Sequence, residues 1–159
     1  MYIVHNINNI DNNSFFFGKK INNTVISNGR FIRLLYSTPM YTLNSILLNI
    51  NLNEIKMEKS YIKYKCRFNP ELNNDIIDKI KCIEENILKK ADIDKKRITN
   101  IAEQLRTGLI KIFIDNTTRV LKDIILKISG IWETEKEYGV TYKFMFLTNT
   151  PLTVSGEIL

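Results

Sequence analysis

The stretch from Val120 to Thr148, VLKDIILKISGIWETEKEYGVTYKFMFLT, constrains the fold most. Two apolar runs flank a short charged segment. In the second run Val140, Tyr142, Phe144 and Phe146 alternate with Thr141, Lys143 and Met145, so the apolar set lies on one face of a strand. The first run, about Leu121 to Trp132, ends in Gly130, Ile131 and the single tryptophan. Together they read as a hairpin. A hairpin is not stable alone in water; it needs further strands or a helix over its apolar face.

The preceding chain offers both. Phe15, Phe16 and Phe17 are consecutive on a strand and cannot all face one way. The outward ring, Phe16, forms an aromatic and basic platform with Lys19 and Lys20, or packs under a neighbouring loop. Asn22 to Ser27 reads as a strand, Asn28-Gly29 as a hairpin turn, and Arg30 to Ser37 as the return strand. Arg30, Ile32, Leu34 and Tyr36 share one face of it; Phe31, Arg33 and Leu35 share the other. A cation beside a ring suits a nucleotide strand on an accessible face, although arginine also snorkels off a mostly buried strand. Met40 to Ile55 reads as one long strand and Lys56 to Ser60 as a charged turn. On the next strand, Tyr61 to Phe68, Lys63, Lys65 and Arg67 form a row opposite Ile62, Tyr64, Cys66 and Phe68. Such a row can follow a phosphate backbone; equally, it guards a solvated edge strand.

Asn69-Pro70 is a helix start, an asparagine cap with proline at the first position. Leu72, Ile76, Ile80, Ile83 and Ile87 then predict an amphipathic helix to about Lys90. Asp94 caps a second helix that frays before Gly108, making a helical insert of about 70–107. Leu109 to Ile114 is a strand, Asp115 to Arg119 a turn, and a short edge strand follows Pro151.

The 159 residues suit a single domain, 1–159. Residues 1–70 carry nine Lys/Arg against three Asp/Glu, so the whole formal excess of +6 lies there. A basic segment gathers polyanions. The chain has no long uncharged apolar run and no secretory start, which predicts no membrane partner and an intracellular location, cytosolic or nuclear. Cys66 and Cys82 do not form a CxxC pair and are expected to be buried free thiols in a reducing compartment. His5 is the single histidine and has no partner at a catalytic spacing. No glycine-rich phosphate loop occurs. Glu133, Glu135 and Glu137 are expected to be solvated rather than to hold a metal. No cofactor, no metal and no catalytic residue is expected, and the chain is read as a non-enzyme.

The stretch Gly130-Ile131-Trp132-Glu133-Thr134 with Tyr138-Gly139-Val140-Thr141-Tyr142-Lys143-Phe144 resembles single-stranded DNA-binding proteins of DNA viruses and phages. There a tryptophan strand, a charged turn and a glycine-led aromatic strand close an OB-fold barrel. The resemblance implies Trp132, Tyr142 and Phe144 near a groove, with residues 70–107 inserted in a barrel connection. The expected fold is thus α+β, mainly β: an OB-like antiparallel barrel with a one- or two-helix insert. The expected function is non-sequence-specific single-stranded DNA binding in viral-type DNA replication or repair. Phe16, Lys19, Lys20, Arg30, Phe31, Arg33, Tyr36, Lys63, Lys65, Arg67, Trp132, Tyr142 and Phe144 would form the DNA site. Other replication proteins and a second copy of the chain are further expected partners. The second reading is a structural or protein–protein interaction module, a viral assembly component or dimeric β-protein, with its rings and arginines in a protein interface.

Overall fold

A computed structural model describes residues 3–22, 25, 28–114 and 123–147. In chain order the elements are β1 (Val4–Asn6), β2 (Phe15–Asn22), β3 (Arg30–Ser37), β4 (Thr42–Asn44), β5 (Ile46–Ile50), β6 (Lys56–Ser60) and β7 (Lys63–Arg67). Then follow α1 (Asn74–Ala91), β8 (Lys96–Ile98), α2 (Asn100–Arg106), β9 (Leu109–Phe113), β10 (Ile124–Glu133) and β11 (Glu137–Phe146).

The predicted hairpin forms the spine of an eight-stranded sheet. β10 and β11 pair antiparallel from Ile124 opposite Phe146 to Glu133 opposite Tyr138, and the register slips between Ile128 and Gly130. The other edge of β10 is divided between two strands: Ile124–Ile128 pair with β5, and Gly130–Glu133 pair with β3. β3 continues past β10 to pair with β4, and its opposite edge carries β2. What the sequence presents as one strand from Met40 to Ile55 is broken at Ser45. That residue adopts φ +79°, and its N–H donates to the Leu34 carbonyl at 2.9 Å. Three strands therefore converge beside Gly130. The site has no room for a side chain: a Cβ there would lie 2.3 Å from the Ile32 carbonyl oxygen and 2.6 Å from the Phe31 ring.

A second, three-stranded antiparallel sheet has the order β6-β7-β9. Its inner face carries Cys66, Ile110 and Ile112, all fully buried, together with Tyr64, whose ring meets Phe146 edge-on. α1 begins after a capped 3-10 turn, in which Asn69 Oδ1 accepts the Glu71 N–H at 3.0 Å, and ends at Asp92 in the left-handed region. Its buried side is Ile77, Ile80, Ile83, Ile87 and Leu88, whereas Leu72 is exposed. The core lies between one face of the large sheet and a second layer made of α1, α2 and the small sheet. Tyr138 joins the layers, its hydroxyl donating to the Leu88 carbonyl at 3.1 Å.

The chain is α+β and mainly β, but the expected OB-like barrel is not formed. The large sheet is open, running β1-β5-β10-β11-β8 with β2, β3 and β4 branching from it. Strands that a barrel would need, β6, β7 and β9, pair with one another instead. Nor are the helices an appendage to a barrel. A closed barrel fills its interior with its own side chains; here α1 and α2 supply much of the core and occupy the side that closure would seal. The resemblance to single-stranded DNA-binding proteins fails on the same ground. Lys56–Ser60, expected as a turn, is a strand, and β8 occupies chain expected to begin the second helix. The expected Asp115–Arg119 turn, the C-terminal edge strand and most of Asn22–Ser27 lie outside the described residues. Among the described residues, no helix is long and apolar enough to cross a membrane.

Candidate interaction surfaces

The fold scatters the thirteen residues of the expected DNA site. Tyr36 and Phe144 are core residues, 2% and 7% exposed. The Tyr36 hydroxyl accepts the Asp11 N–H at 3.1 Å. Tyr142 faces the helices: its hydroxyl donates to Gln104 Oε1 at 2.5 Å, and burial, with the nearby Glu84 and Glu103 carboxylates, pushes its pKa up to about 12. None of these three rings can receive a base. Phe16 is half exposed on β2 beneath the Lys90 ammonium, 5.1 Å from the ring centre. Lys20 is engaged with Glu133 at 2.7 Å. Lys19 is exposed in the irregularity of β2 between Phe17 and Lys20, and Arg30 is exposed at the end of the β2–β3 ladder away from Tyr36. The remaining six fall into two groups, one on each sheet. Single-stranded DNA binding is therefore overturned: the described residues form neither the barrel nor the ring-lined groove that would stack successive bases.

Lys63, Lys65 and Arg67 share the outer face of the small sheet, as the alternation predicts. β7 is the middle strand, however, not an edge. Cross-strand register places Lys56, Arg67 and Leu109 in one row, Glu58, Lys65 and Lys111 in the next, and Ser60, Lys63 and Phe113 in the third. Neighbours along a strand on this face are about 6–7 Å apart, and strands about 4.8 Å apart. Five cations thus occupy a nine-residue face that holds one carboxylate, and none of the five forms an ion pair among the described residues. The end of this sheet is apolar and wet: Tyr61 is 97% exposed and Phe113 70%, with Ile62 between them in the β6–β7 turn and accepting the Ile114 N–H. Lys56 and Lys111 were missed in the sequence because Lys56 falls in a stretch that reads as a charged turn and Lys111 is the one cation of β9. Only register brings them beside the Lys63 row.

The second group lies on the outer face of the large sheet. Phe31 stands opposite Trp132 and Arg33 opposite Gly130. Trp132 is half-buried because its indole lies on Gly139, where a Cβ would come within 2.7 Å of the ring. Lys127 and Lys143 face each other directly. Burial lowers the Lys127 pKa, and repulsion from Lys143 and Arg33 lowers it further.

Glu133, expected in solvent, is buried. Lys20 and Lys95 each bind one of its oxygens at 2.7 Å. Among the described residues no group of three His, Cys, Asp or Glu is placed to hold a metal ion. Burial pushes the Cys66 thiol up to about 11, whereas Cys82, expected to be buried, is an exposed free thiol on α1. His5 bonds the Tyr41 hydroxyl through Nε2 at 2.9 Å and meets the Tyr36 ring edge-on; burial lowers its pKa. No family model, no curated protein and no solved structure matches this chain. The chemistry of its surfaces carries the functional reading.

Proposed function

We propose that this chain is a protein-interaction module that docks an acidic segment of a partner protein on the outer face of the small sheet. It acts by binding, not catalysis. The observation that carries the reading is the three-by-three array of β6, β7 and β9, with five cations against one carboxylate. Unpaired cations on a rigid sheet attract and orient an acidic surface and speed its encounter. The exposed Tyr61 and Phe113 beside the array supply apolar anchors of the kind that concentrate binding energy in protein interfaces. A second copy of the chain is a poor occupant, since it would bring the same cations face to face.

The test is titration of the 15N-labelled chain with decaglutamate. Amide shifts are expected in β6, β7 and β9, with affinity falling at least about tenfold when salt shortens the Debye length from ~30 Å to ~8 Å. Lys63→Glu with Lys65→Glu should abolish the shifts without unfolding an already solvent-facing row. Absence of shifts at low salt, or shifts confined to other strands, refutes the reading.

A further inference from the structure

The small sheet has an open edge at β6. Among the described residues β6 pairs only with β7. Lys56, Met57, Glu58 and Lys59 are all exposed. Among the described residues its second backbone edge therefore carries no ladder. Resting on the docking reading above, we infer that an acidic partner segment adds to this sheet as a fourth, antiparallel strand along β6.

The side chains of β6 specify what that strand must carry. Residues directly opposite each other across an antiparallel pair interact, and like charges there are unfavourable. Lys56 and Lys59 each call for an acid. Met57, 38% exposed on the inner face, calls for an apolar residue that would extend the Cys66 and Ile110 layer. Glu58 excludes an acid. Read along the incoming strand, the complement is acid, uncharged polar, apolar, acid. Beyond the first ladder, Lys63, Lys65, Arg67 and Lys111 add an attractive field. The same pattern rejects self-pairing: two copies of β6 aligned antiparallel and centred would set Glu58 against Glu58. Edge lysines guard against promiscuous addition. Here they also define one complementary sequence. A nucleic acid has the charge but cannot form the amide ladder, which is why a peptide strand is the favoured occupant.

Two peptides separate the strand from simple charge attraction: one containing Glu-Thr-Val-Glu, and the same peptide N-methylated on the amides that would pair with β6. The first is expected to bind, to slow hydrogen exchange of β6 amides, and to lose at least about tenfold in affinity on N-methylation. Lys56→Glu with Lys59→Glu, both exposed and so tolerated by the fold, should reject it and accept Lys-Thr-Val-Lys. Equal binding of the methylated peptide overturns strand addition while leaving acidic docking intact. Failure of both peptides and of decaglutamate overturns both readings, as does binding of oligothymidine alone. Exchange protection, without any peptide, of the β6 amides that point away from β7 would show the edge already occupied and would overturn the inference.

Discussion

Two buried carboxylates respond to pH in opposite senses. Glu84 of α1 is fully buried and accepts the N–H groups of Ile101 and Ala102 at 3.0 and 3.2 Å. It caps α2 through space, since the N-cap residue Thr99 makes no side-chain cap bond. Burial outweighs those two bonds and, with Glu103 and Glu85 nearby, raises its pKa from 4.5 to about 7. An acid raised in the folded state contributes most when protonated. Its contribution is full below about pH 4.5 and is lost as the pH climbs through about 7. Urea midpoints of wild type and Glu84→Gln should therefore show the wild type losing ground to the variant across that window; a constant gap would rule the coupling out. Glu133 runs the other way. Its burial acts to raise the pKa, but hydrogen bonds and charge from Lys20 and Lys95 prevail and hold it below the usual carboxylate range. Its contribution is present above about pH 4.5 and fades as the pH falls further. At neutral pH Glu133→Gln should cost about 2 kcal/mol, the range for hydrogen bonds to charged groups. The cost stays below that of a sealed ion pair because both lysines retain access to water. The gap in urea midpoint should narrow in acid. Neither role was legible in the sequence. Glu84 falls within a helical pattern that a polar residue merely interrupts, and the lysines around Glu133 come from distant parts of the chain.

Among the elements, β10 carries the sharpest steric demand. A Cβ at Gly130 would strike the Ile32 carbonyl, which is held in the ladder and cannot withdraw as a flexible side chain could. Gly130→Ala is expected to lose about 3 kcal/mol, the upper end of overpacking penalties, read as a drop in denaturation midpoint; a neutral result would mean that β3 and β10 separate easily. Lys127 and Lys143 present the opposite opportunity. Like charges directly across a ladder repel, so Lys143→Glu should gain about 0.2–1 kcal/mol, and the gain should shrink in salt. A gain independent of salt would assign it to something other than charge. These strands, β3 and α1 were legible because their periodicity is strong. β6 was not: KMEKS is wet on both faces, so no apolar alternation marks it. Alternation in β3 likewise revealed two faces without revealing which one the second layer covers, and so Tyr36 was placed in the site although the core claims it.

For the whole molecule, strand pairing between distant segments decides closure, and local pattern does not encode it. β7 and β9 have the alternation of barrel strands; their pairing with each other and with β6 is what makes a separate sheet. Because the inner faces of both sheets meet in one core, their outer faces point away from each other. Each carries cations, Lys56, Lys63, Lys65, Arg67 and Lys111 on one, Arg33, Lys127 and Lys143 on the other. Two copies meeting through either sheet would therefore repel, and a centred β6 pair would add the Glu58 contact. At about 0.01 M salt the repulsion reaches ~30 Å, whereas at about 0.15 M it is screened within ~8 Å. The chain is thus expected to sediment as an 18.6 kDa monomer at low salt, with any self-association growing as salt is added. Docking of an acidic partner must weaken over the same range, since it depends on the unscreened field. The two equilibria should respond to salt in opposite directions, and sedimentation equilibrium beside a peptide titration in matched buffers measures both. Dimers that are tightest at low salt would mean that one copy offers an acidic surface to the cations of another, and the cationic faces would then serve self-assembly.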